Sequence, residues 1–235
     1  MSDNSPNYLN LLNNEQRKAV ELTKGSLLVL AGAGSGKTRV LTFKILHILN
    51  KKLATPSQIL AVTFTNKAAN EMKTRIGKMI NLPIDRMWVG TFHSLALRVL
   101  RQHYEEVGLK KNFIIIDVDD QLKLIKKICE AEKIDTKEIS TKFFLNAIDG
   151  FKNKGISFED VKESKYRKYD NELRKVYKIY QTELLRMNTV DFGDLILLCI
   201  KIFKSNKNIL QKYQNFFKFI FVDEYQDINP IQQIW

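Results

Sequence analysis

Two small groups of residues could do chemistry together. Lys37 and Thr38 follow six small residues, Ala31, Gly32, Ala33, Gly34, Ser35 and Gly36, and Asp223 and Glu224 follow the apolar run Phe219-Ile220-Phe221-Val222. A glycine-rich loop lets backbone N–H groups converge on phosphate oxygens without interference from Cβ atoms. Behind it, Lys37 can neutralise terminal phosphates and the Thr38 hydroxyl can ligate Mg²⁺. An apolar strand ending in Asp-Glu supplies the complementary half. Asp223 can hold the metal, and Glu224 can orient and deprotonate an attacking water. The chemistry is hydrolysis of a nucleoside triphosphate, with ATP and Mg²⁺ as the cofactors. The loop begins with Ala31, so a strict glycine-first pattern is not met.

That chemistry needs a strand before the loop and a helix after it. Leu27-Leu28-Val29-Leu30 reads as a buried strand, and Val40, Leu41, Ile45, Leu46 and Leu49 carry a helical period. Further apolar runs at Ile59–Phe64, Met87–Phe92, Phe113–Ile116 and Phe219–Val222 alternate with helical patterns, of which one is expected from His93 to Val107. Strand and helix in alternation predict a parallel α/β sheet, where ligands sit at the carboxyl ends of strands. Between residues 109 and 190 the pattern becomes helical. The expected organisation is therefore an α/β domain from residues 1–108 and 191–235, interrupted by a helical insert at 109–190. At the start of the chain, Asn13 and Gln16 have capping-box spacing. The Gln16 carboxamide could equally read an adenine edge, since it donates and accepts together.

Composition narrows the partners. Lys plus Arg number 38 against 26 Asp plus Glu, a formal charge of +12, which favours a polyanion such as nucleic acid. Residues 109–190 carry 18 basic and 14 acidic side chains, so most of the excess lies on the α/β part. Cys129 and Cys199 show no paired spacing, so neither a disulfide framework nor a zinc site is expected and a reducing cytoplasm fits. No signal peptide and no membrane span is read. Just past two strand ends stand Phe64, Thr65, Asn66 and Thr91, Phe92, His93. Their small polar groups could bond phosphates and their rings could stack on bases, although the two phenylalanines would serve equally as core.

Taken in order, LNNEQ at 12–16, AGAGSGKTRVL at 31–41, ILAVTFTNKAANEM at 59–72, VGTFHSLALRVLR at 89–101, VDFGDL at 190–195 and FIFVDEYQDINPIQ at 219–232 resemble the motifs of UvrD/Rep-type superfamily 1 DNA helicases. The resemblance covers essentially the whole chain and implies a RecA-like P-loop NTPase core. It also implies that Gln16 binds the adenine edge and Arg39 stacks on its face. Residues 31–36 with Lys37 and Thr38 cradle phosphate and metal. Asp223 and Glu224 act in hydrolysis, and Gln226 sits near the γ-phosphate and couples it to DNA. The implied activity is ATP-dependent 3′-to-5′ translocation and unwinding in DNA repair or replication restart, on single-stranded DNA and single-strand/duplex junctions, alongside repair proteins. The motifs stop just after the Asp-Glu pair. Read as an N-terminal half, the chain would lack a second motor domain with its arginine fingers, and alone would bind Mg-ATP but hydrolyse it weakly. Rival readings are the motor part of a helicase–nuclease and a non-catalytic basic DNA-binding module. A GTPase would need a guanine-reading Asn-Lys-x-Asp, and Asn66-Lys67-Ala68-Ala69 lacks the Asp.

Overall fold

A computed structural model describes residues 7–32, 34–80, 84, 86–161 and 167–235. In chain order the elements are α1 (Asn14–Glu21), α2 (Lys37–Asn50), β1 (Ile59–Thr63), α3 (Asn66–Met79), β2 (Trp88–Thr91), α4 (Phe92–Leu100), β3 (Ile114–Ile115), α5 (Val118–Ala131), α6 (Thr141–Lys152), α7 (Asp170–Arg186), β4 (Thr189–Val190), α8 (Phe192–Ser205), α9 (Lys207–Phe216), β5 (Phe219–Val222) and α10 (Pro230–Ile234). The chain divides into two compact units, Met1–Leu95 with Gln211–Gln226, and Ala96–Leu210 with Asp227–Trp235.

The first unit is built on a parallel sheet of order β2-β1-β5. Val62 stands beside Gly90 on one side and Val222 on the other, so the carboxyl ends of all three strands fall level. β1 is buried at all five positions, as a central parallel strand covered on both faces must be. Ile45 and Ile48 of α2, Met72 and Ile76 of α3 and Val89 of β2 are packed in the same core. α3 begins where the Thr65 hydroxyl accepts the Ala68 N–H, a side-chain cap that fixes the strand-to-helix turn.

Two expectations for this unit need correction. Leu27–Leu30 forms no strand and is exposed, Leu30 to 86%. Among the described residues no strand pairs with it, so its peptide groups have no ladder. β5 is not fully buried either: it pairs only with β1, and Ile220 is 62% exposed.

The second unit is mainly helical. α5, α6 and α7 share a core that contains Ile125, Phe144, Ile148, Leu173, Tyr177 and Tyr180. Phe113–Ile116 pairs over only two residues, Ile114 and Ile115, in parallel with Thr189 and Val190, which periodicity did not mark as a strand. The helix expected from His93 to Val107 ends at Leu100, and a short 3-10 turn covers Tyr104–Val107. Cys129 and Cys199 are buried free thiols. Among the described residues no helix is long and apolar enough to cross a membrane.

Inside this unit the buried Lys152 ammonium sits 2.5 Å from Asp191 Oδ2 and 2.7 Å from Asp194 Oδ1. The Tyr180 hydroxyl donates to Asp191 and the Gln181 amide to Asp194. Asp191 and Asp194 also form the capping box of α8. Burial alone would lower the Lys152 pKa, but Asp194 and Asp191 outweigh it and hold the ammonium charged. Burial raises the Asp194 carboxyl, and the charge of Asp191 adds to it. Gly193 makes room for the lysine: a Cβ there would stand 2.9 Å from Lys152 Cδ.

Candidate active site

The glycine loop turns into α2 through left-handed backbone at Gly34 (φ 75°) and Gly36 (φ 90°), conformations in which a Cβ is strained. Ser35 Oγ donates to the Gly32 carbonyl at 2.6 Å. Lys37 Nζ folds over the loop and donates to the carbonyls of Ala31 (2.9 Å) and Gly32 (3.2 Å). Ala33, named with this loop from the sequence, lies outside the described residues.

Both readings of Gln16 begin from what it touches. Its Oε1 accepts the Asn13 N–H in a completed capping box, and its Nε2 donates to the Ser35 carbonyl at 3.1 Å. The third helical residue of α1, which closes its capping box, is thus tied to the loop 19 residues on. Arg39 Nη2 donates to the Leu11 carbonyl at 2.6 Å, and its guanidinium lies 5.4 Å from the Phe43 ring. Gln16 therefore lies against the loop itself, and Arg39 against the turn that precedes α1.

Asp223 continues the β1–β5 ladder, its N–H donating to the Val62 carbonyl at 2.9 Å. Its carboxylate reaches Thr38 on α2, with Oδ2 3.4 Å from Thr38 Oγ1. Burial raises the Asp223 pKa, and the Glu224 N–H, Thr38 and Lys37 act in the opposite sense. A carboxylate beside a hydroxyl is a hard-oxygen pair, and among the described residues no cluster of three His, Cys, Asp or Glu could hold a metal alone. That donor set suits Mg²⁺, which keeps several waters and takes its other ligands from phosphate. Glu224 has φ +48°. Gln226 Nε2 donates to Glu224 Oε2 at 2.6 Å.

The aromatic group at the neighbouring strand ends divides into two kinds. Thr63 and Thr91 are register partners, so Phe64, Thr65 and Asn66 come beside Thr91, Phe92 and His93. Phe92 is buried (4% exposed), and Phe64 stands edge-on to it at 6.1 Å and remains half-buried. Thr65 and Thr91 Oγ atoms cap the following helices by accepting the Ala68 and Ser94 N–H groups. Burial lowers the His93 pKa to about 4, so the ring is neutral at pH 7. Elsewhere in this unit, a depression of about 560 Å³ along α3 is lined by Lys67, Asn70, Glu71, Thr74, Arg75 and Lys78. It is a solvated helix face with no partner for the loop chemistry.

Sequence reasoning did not find the ties from Gln16 to Ser35 or from Arg39 to Leu11. Carbonyl acceptors leave no signature in residue type. Nor did it find Lys152 as the partner of the VDFGDL carboxylates, 39 residues away from Asp191.

A parallel α/β sheet with a glycine loop opening one helix and an Asp-Glu pair ending an adjoining strand defines the P-loop class of α/β proteins. The chain belongs to the UvrD/REP helicase family, whose N-terminal domain matches residues 12–235. It is 43% identical over 224 residues to the ATP-dependent DNA helicase PcrA of Staphylococcus aureus, a match that covers 95% of this chain and 31% of the relative. The PcrA helicase of Staphylococcus epidermidis is 43% identical over 221 residues, covering 94% and 30% respectively. The chain thus spans about a third of the length of these relatives.

Proposed function

We propose that the chain is the Mg-ATP-binding half of a 3′-to-5′ DNA-translocating helicase of repair or replication restart. The observation that carries this is the meeting of Thr38 and Asp223 at 3.4 Å, with Glu224 next in sequence and Lys37 one residue before Thr38. Residues 31–36 and Lys37 take the phosphates, Gln16 reads the adenine edge, and Arg39 covers its face. Thr38 and Asp223 hold Mg²⁺, which supplies charge neutralisation on the phosphate oxygens. Glu224 takes the proton of the attacking water. The loop N–H groups and the N-terminus of α2 favour the same anion.

On the DNA side, Phe64 is the ring placed to stack on a base, while Thr65, Asn66, Thr91 and His93 lie where a strand would pass and Phe92 supports Phe64 from behind. Single-stranded DNA and single-strand/duplex junctions are the substrates, with the second motor half and repair proteins as partners. Residues 1–108 and 191–235 form the RecA-like part and 109–190 the insert. The parallel sheet and the helices α5–α7 support that division.

Calorimetry with Mg-ATP tests the reading. Saturable 1:1 binding, lost in Lys37→Ala and weakened in Asp223→Asn, is the expected result. Equal affinity in parent and Lys37→Ala would overturn it.

A further inference from the structure

Glu224 holds a backbone conformation that its side chain does not favour. Its φ of +48° lies in the left-handed region, uncommon for any residue with a Cβ and a recurrent mark of functional sites. Such strain persists where neighbouring contacts over-determine it. Two contacts do so here. The Glu224 N–H donates to Asp223 Oδ1 at 3.1 Å, and Glu224 Oε2 accepts from Gln226 Nε2 at 2.6 Å. The short 3-10 turn at Tyr225–Asp227, immediately after the kink, carries Gln226 back to this carboxylate.

We infer that Gln226 is a positioning residue that acts through Glu224 rather than on the phosphate. The inference rests on Glu224 being the proton acceptor proposed above. With Oε2 engaged by the carboxamide, Oε1 is left to face the water. In the reaction, Glu224 accepts a proton from water as the water oxygen bonds the terminal phosphorus. The bridging P–O bond breaks, and its electron pair leaves with ADP. A carboxylate with one oxygen fixed loses rotational freedom before the transition state rather than at it. A glutamine that touched the phosphate itself would instead contribute to nucleotide affinity as well as rate.

The experiment is single-turnover hydrolysis of Mg-ATP by excess protein with oligo-dT. Calorimetry with the Mg complex of the imido analogue of ATP runs in parallel. Gln226→Met, similar in length but without the donor, is expected to slow hydrolysis about tenfold while analogue affinity stays within about twofold. A parental rate in Gln226→Met, or affinity lost in step with rate, would overturn the inference. Two controls separate it from the reading beneath it. Analogue binding unaffected by Lys37→Ala sinks the nucleotide site itself. Hydrolysis above the protein-free background that Glu224→Gln leaves unchanged removes Glu224 as base, and this inference with it, while leaving the nucleotide site standing.

Discussion

Thr38 and Asp223 stand 3.4 Å apart across 185 residues of chain. Each is placed by a separate device. Gly36 opens α2 in left-handed backbone, which sets Thr38 on the first turn. The parallel ladder of β1 and β5, extended by the Asp223 N–H to Val62, sets Asp223 at a strand end. Removal of either device separates the two oxygens without touching them.

Lys37→Ala should weaken Mg-ATP binding by about 3 kcal/mol, roughly a hundredfold, since hydrogen bonds to charged groups contribute about 1.5–3 kcal/mol each. Among the described residues Lys37 donates to the exposed Ala31 and Gly32 carbonyls, so thermal stability should stay within about 0.5 kcal/mol of the parent. Calorimetry and thermal melting on the same preparations check both halves.

The purified 235-residue polypeptide should hydrolyse ATP slowly and unwind no duplex. An arginine finger accounts for about 10³–10⁵ in rate, and the chain spans about a third of the length of its relatives. Steady-state turnover with and without oligo-dT measures it. DNA-stimulated turnover matching that of a longer protein with the second motor half would contradict it.

Phe92→Ala and Phe64→Ala should part company. Phe92 is buried, and its truncation should cost about 3–5 kcal/mol of stability. Half-buried Phe64 should cost less stability but weaken single-stranded DNA binding by about 1–3 kcal/mol, the worth of one base stack. Urea unfolding and fluorescence anisotropy with oligo-dT separate the two effects.

Lys152→Met should destabilise the protein by about 3–5 kcal/mol, because Asp191 and Asp194 are then left buried without their cation. The triple variant Lys152→Met, Asp191→Asn, Asp194→Asn should recover a good part of that loss. Gly193→Ala should cost about 1–3 kcal/mol through the close approach to the lysine stem. Chemical denaturation at constant m-value is the readout.

His93 sets a pH dependence of known sign. Its folded pKa, lowered by burial to about 4, lies below the ordinary value of 6.5. The unfolded chain binds the extra proton first, so stability is fully present above about pH 6.5 and declines as pH falls toward 4. Subtracting the profile of His93→Gln isolates this contribution from the raised Asp223 and Asp194, which act in the opposite direction.

What could be read from the sequence was whatever is written in local pattern. The runs at Ile59–Thr63 and Phe219–Val222 appear as strands, and the Asn13–Gln16 cap forms because four-residue spacing is itself the signal. Leu27–Leu30 has the same apolar, β-prone composition and is no strand. Pairing depends on a neighbour, and periodicity says nothing about neighbours. Thr189–Val190 shows the converse, two unremarkable residues made into a strand by Ile114 and Ile115. Of the site, the residue types were legible and their mutual contacts were not. Gln226 holds Glu224, and Gln16 holds the Ser35 carbonyl, through amide geometry that only folding brings about.

The uncovered rim of β5 also governs how the protein behaves in a tube. Among the described residues, a parallel strand with one unpaired side, Ile220 exposed on it and an unpaired Leu27–Leu30 stretch in the same unit together make a template for extended peptide, including that of another molecule. The +12 charge is the main force holding copies apart, and salt shortens its reach from about 30 Å at 0.01 M to about 3 Å at 1 M. Dilute buffer should therefore keep solutions clear, and added salt should bring turbidity that grows with protein concentration.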